Sequence, residues 1–576
     1  MDTLATMEVL AEMNVLAMTE FEAVLDAGDV VHLWQKAPSR TALSEVSVVS
    51  GGGEPVRLLG AHSDDFTRSV FEAPAAGTYR FGWQEPATTV SLAYSFSPSR
   101  VAKEGIRLLR TTAKNRASEA RYKLHFQPPF GWMNDPNGLC QIGDTSHLFY
   151  QHYPHSLRWN TMHWGHAVSD NLVDWIDQPI FLEPRAELLA DNGLTGGAFS
   201  GSAIPHEAGG VRVFYTDRED GREPSQEWQI TTVSQDMLSA GPSTPVITDR
   251  PSIPNFGKDI RDPYVFRGPD GLWKMLVAGA DDRAGLVLLY ETKAADAADG
   301  WTFVDVLHRE PLPRSIPAEC PGLIALDGEG EGLYALVFGL IGYRDEGTRR
   351  RNLSYAIVGR FDGRTFEPVL RREIDFGTDC YAIQAFQHVD GPVGIAWAAN
   401  WTDVFKDRDF HSAMTFPRRF VWQDGALLMP PVESVKELRT GIAAEALATA
   451  GSVPLEGGLG EIEIELARPG SPFALDFVHA DHGISLVYDG QTLELVFDPP
   501  GNRVVPRYLT PTSTLRTVRV FVDVGLIEIY VDGGLQCATK RMDSDAPIEA
   551  VELKGDSGAV QVARLWKLRP IRKGLG

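Results

Sequence analysis

Three acidic residues sit where a carboxyl group could act as a reagent. Asp135 lies in Gly131-Trp132-Met133-Asn134-Asp135-Pro136-Asn137-Gly138. Pro136 biases Asp135 toward extended backbone, and Pro-Asn-Gly predicts a tight turn. Trp132 offers an apolar wall and Asn134 a neutral hydrogen-bond partner. Asp262 lies in Asp259-Ile260-Arg261-Asp262-Pro263-Tyr264, where the adjacent guanidinium is expected to keep it ionised. Glu319 lies in Pro317-Ala318-Glu319-Cys320-Pro321. That poorly solvated setting raises a carboxyl pKa, as a general acid near neutral pH requires. One carboxyl that protonates a leaving oxygen and another that attacks or supports a carbon can together cleave a glycosidic bond. Taken singly, each segment also has a plain reading: an Asx turn, a surface ion pair before a strand, a loop Glu facing water.

Other reactive residue types form weaker patterns. His147, His152, His155, His163 and His166 crowd one short stretch. In a strand, residues three apart face opposite sides, so His152/His155 and His163/His166 would converge poorly on a metal. No Asp, Glu or Cys completes a ligand set at motif spacing. No metal and no cofactor is expected. Cys140, Cys320, Cys380 and Cys537 are widely separated, which suits a reducing compartment.

The elements that must hold these acids are strands. The 576 residues exceed one hydrophobic core, and two to four domains are expected at ~100–200 residues each. Residues 1–28 read as an acidic amphipathic helix or a disordered tail. Residues 30–96 alternate short β-rich runs with turns, so 1–98 is taken as a tail and a small β-rich domain. Residues 99–121 carry seven Lys and Arg against Glu104 and Glu119 and read as a basic helical linker. From 122 to 437, strands rich in Trp, Tyr, Phe and Val recur between close-spaced turns, implying a propeller or large sandwich. Residues 438–576 alternate again after a short helical piece. There Val518–Gly534 reads as two strands around Val524–Gly525 in a sandwich.

The net charge of -23 repels phosphate backbones and anionic lipids, so nucleic acid and membrane are not expected partners. With 13 Trp and 15 Tyr, a neutral sugar is a sensible small-molecule substrate. The N-terminus has no basic stretch followed by an apolar core, and no membrane-length apolar run occurs. A cytoplasmic protein is expected; a homo-oligomer is compatible with the sequence.

Trp132-Met133-Asn134-Asp135-Pro136-Asn137-Gly138, Arg261-Asp262-Pro263 and Glu319-Cys320, in that order, resemble the signature of glycoside hydrolase family 32, the invertases, levanases and inulinases. Tyr150–Pro154, Trp164–Ala167, Phe199–Ser202, Asp379–Gln384, Met414–Arg418 and Phe521–Asp523 with Glu528–Tyr530 extend the resemblance over residues 122–570. It implies an all-β protein: a five-bladed propeller followed by a C-terminal β-sandwich. Residues 1–121, with the extra β-rich domain, fall outside the usual pattern.

The resemblance implies that Asp135 is a nucleophile, Glu319 the acid/base and Asp262 a transition-state stabiliser. It puts Asn134, Gln151, Trp159, Phe199, Ser200, Arg261, Tyr381 and Trp401 around a fructose. It implies a retaining β-fructofuranosidase acting on sucrose or short fructo-oligosaccharides, with its two reacting carboxyls ~5–5.5 Å apart. Fructosyltransferase and levan- or inulin-degrading activities would use the same site. A non-catalytic sugar-binding protein, or a propeller hydrolase acting on arabinose or xylose, is the remoter alternative. The sequence departs from the pattern at Ala318 and Gly322, which flank the acid/base, and at Cys380 and Arg419. The first two are expected to alter the leaving-group side of the site.

Overall fold

The computed structural model describes residues 17–572, apart from 52, 116–119, 191–194, 208, 329–331, 387–390, 403, 405–408, 499–505, 543, 545 and 556–557. The described chain is all-β, with only brief helices. It divides into two compact units. One comprises residues up to 99 with 107–112 and 189–192; the other comprises the remainder.

The first unit holds two four-stranded antiparallel sheets around Val31, Leu33, Val46, Phe81 and Trp83. Two expectations are corrected here. Residues 17–25 are not helix or tail but the strand Ala17–Leu25, in register with Gly77–Glu85. Its period-2 pattern buries Ala23 and Leu25 between exposed Glu22 and Val24, which a strand satisfies and a helix does not. The rest of the expected tail, 1–16, lies outside the described residues.

The expected helical linker is a single turn, Val101–Glu104, ended by Gly105 at φ 76. The chain then forms the strand Arg107–Thr111, which pairs with Thr89–Phe96 and so belongs to the first unit, beyond the expected boundary at 98. A free strand edge outweighs weak helix propensity here. Arg110 donates to Val90 O (2.9 Å) and lies over the Trp83 ring. Arg116 and Glu119 lie outside the described residues.

The second unit begins with five successive four-stranded sheets. Their first strands are Trp132–Ile142, Gly196–Pro205, Ile260–Arg267, Ala318–Ala325 and Tyr381–Ala385. Each is an edge strand of its sheet. Each packs against the first strand of the next sheet, and the fifth packs against the first. Each also has the same irregularity near its start, where two residues oppose one across the ladder. The pairs are Asn134-Asp135, Phe199-Ser200, Asp262-Pro263, Cys320-Pro321 and Ala382-Ile383. Such bulges bend a strand and re-aim its side chains. Asp262, Cys320 and Ala382 accordingly have positive φ (62, 49 and 55).

The tight turn expected at Pro136-Asn137-Gly138 is absent, because those residues continue the strand Trp132–Ile142. Trp132–Ile142 is an edge strand, where a proline that cannot donate to a ladder is tolerated. Gly138 turns to φ 53 where a Cβ would meet the Phe149 ring at 2.8 Å.

The unit ends in two six-stranded antiparallel sheets packed over Leu475, Leu486, Val520 and Ile529. Thr517–Asp523 and Leu526–Val531 pair around Val524–Gly525, as the alternation indicated. A buried ionic cluster joins these sheets to the preceding five. Asp523 accepts from the backbone N–H of Lys123 and Leu124 (2.9 Å each) and from His125 Nδ1 (2.9 Å). His125 Nε2 reaches Glu528 (3.1 Å), and Arg418 donates to both Glu528 (2.9 Å) and Asp375 (3.1 Å).

Candidate active site

Residues of three of the bulges, Asn134-Asp135, Phe199-Ser200 and Asp262, line one concavity of about 260 Å³. Asp135, Asp262 and Glu319, more than fifty residues apart in sequence, all line it. So do Asn134, Gln151, Trp159, Phe199, Ser200, Arg261 and Trp401. Tyr381 stands just behind, its hydroxyl donating to Glu319 Oε2 at 2.7 Å.

Asp135 is 8% exposed. Its Oδ2 accepts from Ser200 Oγ at 2.8 Å, and the Cys320 thiol lies 3.5 Å away. Its Oδ1 is buried and has no hydrogen-bond partner among the described residues. Burial raises the Asp135 pKa, while donors on Asn134, Ser200 and Cys320 pull it back. Trp132 Nε1 donates to Asn134 Oδ1 (2.6 Å), so the buried indole fixes the neighbouring amide.

Arg261 does not behave as its place beside Asp262 suggested. Its guanidinium turns to Glu319 Oε1 (2.7 Å), Glu227 Oε1 (3.1 Å) and Asp259 Oδ1 (2.5 Å). Asp262 is left with the backbone N–H of Cys320 (2.9 Å) and its thiol (3.6 Å). Burial therefore lifts Asp262 well above the usual carboxylate range. The Arg261 charge opposes that shift; the neighbouring Glu319 and Asp135 add to it. The strand bulge sends the two adjacent side chains to different partners.

Burial also raises Glu319, as its apolar neighbours indicated, while Arg261 and Tyr381 hold it down. Two strong donors therefore serve Glu319 and none of comparable strength serves Asp262.

Ala318 and Gly322 do not line the cavity. Ala318 is fully buried in the apolar cluster around Leu276, Leu323 and Phe338, and Gly322 faces Val337 and Tyr264. Strand alternation sends Ala318 away from the side that Glu319 faces, so both departures sit in core packing.

Sequence reasoning missed Arg218, Ile341 and Glu227. Arg218 and Ile341 line the cavity. Glu227, buried, clamps Arg218 (2.9 Å) and Arg261 and accepts from the backbone N–H of Ile260 (2.7 Å). The available signal was a lone Glu opening the otherwise uncharged strand Glu227–Ser234. The crowded histidines do not gather around a common point. His147 and His166 face each other (3.0 Å), and His152 bonds Trp132 O (2.7 Å).

Comparison with known proteins agrees with this geometry. The family described as "Glycosyl hydrolases family 32 N-terminal domain" matches residues 125–431. A sucrose-6-phosphate hydrolase of Escherichia coli is 30% identical over 469 residues, covering 77% of this chain and 94% of that protein. A levanase of Bacillus subtilis (strain 168) is 27% identical over 504 residues, covering 79% and 71% respectively. A solved family 32 structure from Bifidobacterium adolescentis superposes with a TM-score of 0.84 at 22% identity, covering 96% of this chain and 99% of that one. That likeness of fold reaches into the first 121 residues, which the sequence signature left out. The chain belongs to glycoside hydrolase family 32. It is an enzyme, a glycosidase.

Proposed function

We propose that this protein is a retaining β-fructofuranosidase that releases terminal fructosyl units from sucrose or short fructo-oligosaccharides, working at the centre of a five-bladed propeller. The observation that carries the reading is the convergence of Asp135, Asp262 and Glu319 on one cavity. The relatives act on related donors by name, sucrose 6-phosphate and levan.

In this mechanism Asp135 attacks C2 of the fructosyl unit while Glu319 gives its proton to the departing oxygen. The C2–O bond to the leaving sugar breaks and an ester to Asp135 forms. Glu319, now a carboxylate, takes a proton from water, which attacks C2 and frees Asp135. Two displacements retain configuration, a course that places the two carboxyls ~5–5.5 Å apart. Fructose hydroxyls donating to Asp262 favour its anion. The Asp262 anion then offsets charge on the oxocarbenium-like transition state.

Size and charge support a small neutral donor. About 260 Å³ is below the ~300–1,000 Å³ of sites that enclose drug-sized ligands and suits one terminal unit. Arg218 and Arg261, the cations at the cavity, are both matched by carboxylates, so sucrose suits it better than a phosphorylated donor. A cytoplasmic location goes with this reading; Cys140, Cys320, Cys380 and Cys537 are buried free thiols, in keeping with a reducing compartment.

The test is a panel of sucrose, kestose, raffinose, levan and inulin, with glucose and fructose measured separately, on wild type, Asp135→Asn and Glu319→Gln. Sucrose and kestose should be cleaved fastest. Glu319→Gln should lose ~10²–10⁴-fold and Asp135→Asn should be inactive, both with unchanged thermal unfolding. Substantial turnover by Asp135→Asn refutes the assignment. Mostly oligosaccharide products at high sucrose would mark a transferase instead.

A further inference from the structure

In a chain of formal charge -23, a second cavity, of about 270 Å³, is walled by Arg344, Arg349, Arg350, Arg351 and Lys540. The arginines come from the loop between Leu333–Leu340 and Ser354–Phe361; Lys540 comes from the C-terminal sheets. Two of the cations are matched. Arg350 makes a two-pronged contact with Glu373 (2.5 and 2.8 Å), and Lys540 donates to Asp379 (2.6 Å). Arg344, Arg349 and Arg351 are exposed and have no carboxylate partner among the described residues. Asp345, in the same loop, turns back to accept from the Thr348 N–H (2.8 Å).

This arrangement sets like charges against each other. Arg344 and Arg351 stand directly across from each other in an antiparallel bridge, where like charges destabilise. Arg349 and Thr378 at the cavity wall have φ of 63 and 70, costly for a β-branched threonine above all. The surroundings nevertheless hold it in place. Asn400 donates to Arg351 O (3.0 Å) and Thr378 O (3.1 Å), and the Arg507 N–H donates to Thr348 O (2.9 Å). An anion with several oxygens would relieve the repulsion, and the guanidinium fork fits phosphate oxygens two at a time.

We propose that this cavity binds a small phosphate-bearing molecule, separately from the sugar cavity. The two cavities share segments. Ile341 lines the sugar cavity at the start of the arginine loop, Asn400 precedes Trp401, and Thr378-Asp379 lead into Tyr381. The position is that of an effector site beside the catalytic groups.

The experiment is calorimetric titration of the full chain, in low-salt buffer free of phosphate, with inorganic phosphate, glucose 6-phosphate and ATP. At least one should bind saturably. The double variant Arg349→Ala/Arg351→Ala should weaken that binding by at least ~10-fold, with Arg351→Lys losing less. Binding should persist in Asp135→Asn and in excess fructose. The tightest of the three probes identifies the source as free phosphate, a sugar phosphate or a nucleotide. The proposal is overturned if none binds, if a correctly folded double variant binds as well as wild type, or if fructose displaces the anion. None of these outcomes depends on turnover, so they stand apart from the fate of the proposed hydrolase activity.

Discussion

The Cys320 thiol lies 3.5 Å from Asp135 Oδ2, buried beside the carboxylate assigned as nucleophile. Burial, reinforced by Asp135, Asp262 and Glu319, pushes its pKa well above that of a free thiol, so it stays protonated and acts as a weak donor. Cys320→Ala removes that donor while the burial that raises Asp135 persists. The acidic limb of the kcat/KM–pH profile should therefore move to higher pH, and Cys320→Ser should bring it back to or below the wild-type position. Identical acidic limbs in all three proteins would show that the thiol does not tune the carboxylate.

Tyr381 holds Glu319 from the other side. Its hydroxyl favours the carboxylate and so lowers the pKa of Glu319. In Tyr381→Phe the acid form should survive to higher pH, moving the alkaline limb up by as much as about one unit. A lost hydrogen bond to a charged group should also cost kcat/KM about tenfold. A downward shift of the limb would contradict the assignment of Glu319 as the acid.

Gly339 faces Glu319 across the ladder, and a Cβ there would meet the Tyr381 ring at 2.7 Å. Gly339→Ala should push the ring off Glu319 and reproduce the alkaline-limb shift of Tyr381→Phe. The double variant should be no worse than the more affected single one, because both changes remove the same contact. Additive losses in the three kinetic profiles would show that Gly339 acts through something else.

The buried cluster between the five sheets and the C-terminal sheets should give the stability a pH window. Burial alone would lower His125, but hydrogen bonds to Asp523 and Glu528 prevail and push it up to about 9. With its folded pKa above the unfolded value near 6.5, its contribution is complete below pH ~6.5 and lost as pH rises through about 9. Glu528 is held down to about 2 against its own burial, chiefly by Arg418 and His125, so its contribution is lost only as pH falls toward that value. Thermal unfolding midpoints should be highest between about pH 4.5 and 6.5 for this cluster. They should fall by several degrees toward pH 9, a slope that His125→Gln should flatten. An equal alkaline slope in the variant would remove His125 from the account.

The acids were legible because each stands in a short segment whose neighbours are unusual together, such as proline after Asp135 and Asp262, and Cys-Pro after Glu319. Strand patterns were legible where alternation was strict, as in Thr517–Val531. The basic run 99–121 misled, since helix propensity is a weak local preference and the edge of Thr89–Phe96 was there to be paired. The same holds for Pro136-Asn137-Gly138, good turn chemistry that the edge strand Trp132–Ile142 took in.

Residue order alone marked the candidate carboxyls, the all-β character and the family resemblance, because these depend on residue type and on spacing within a few positions. Only the tertiary structure decided that Arg261 serves Glu319 rather than its neighbour Asp262, that Ala318 packs into the core, that Tyr381 donates to Glu319, and that Glu227 and Arg218 support the site. Those partnerships join residues tens to hundreds of positions apart, and a one-residue bulge reverses which side chain points where. Local sequence does not encode such contacts; they exist only once five edge strands are brought together around one cavity.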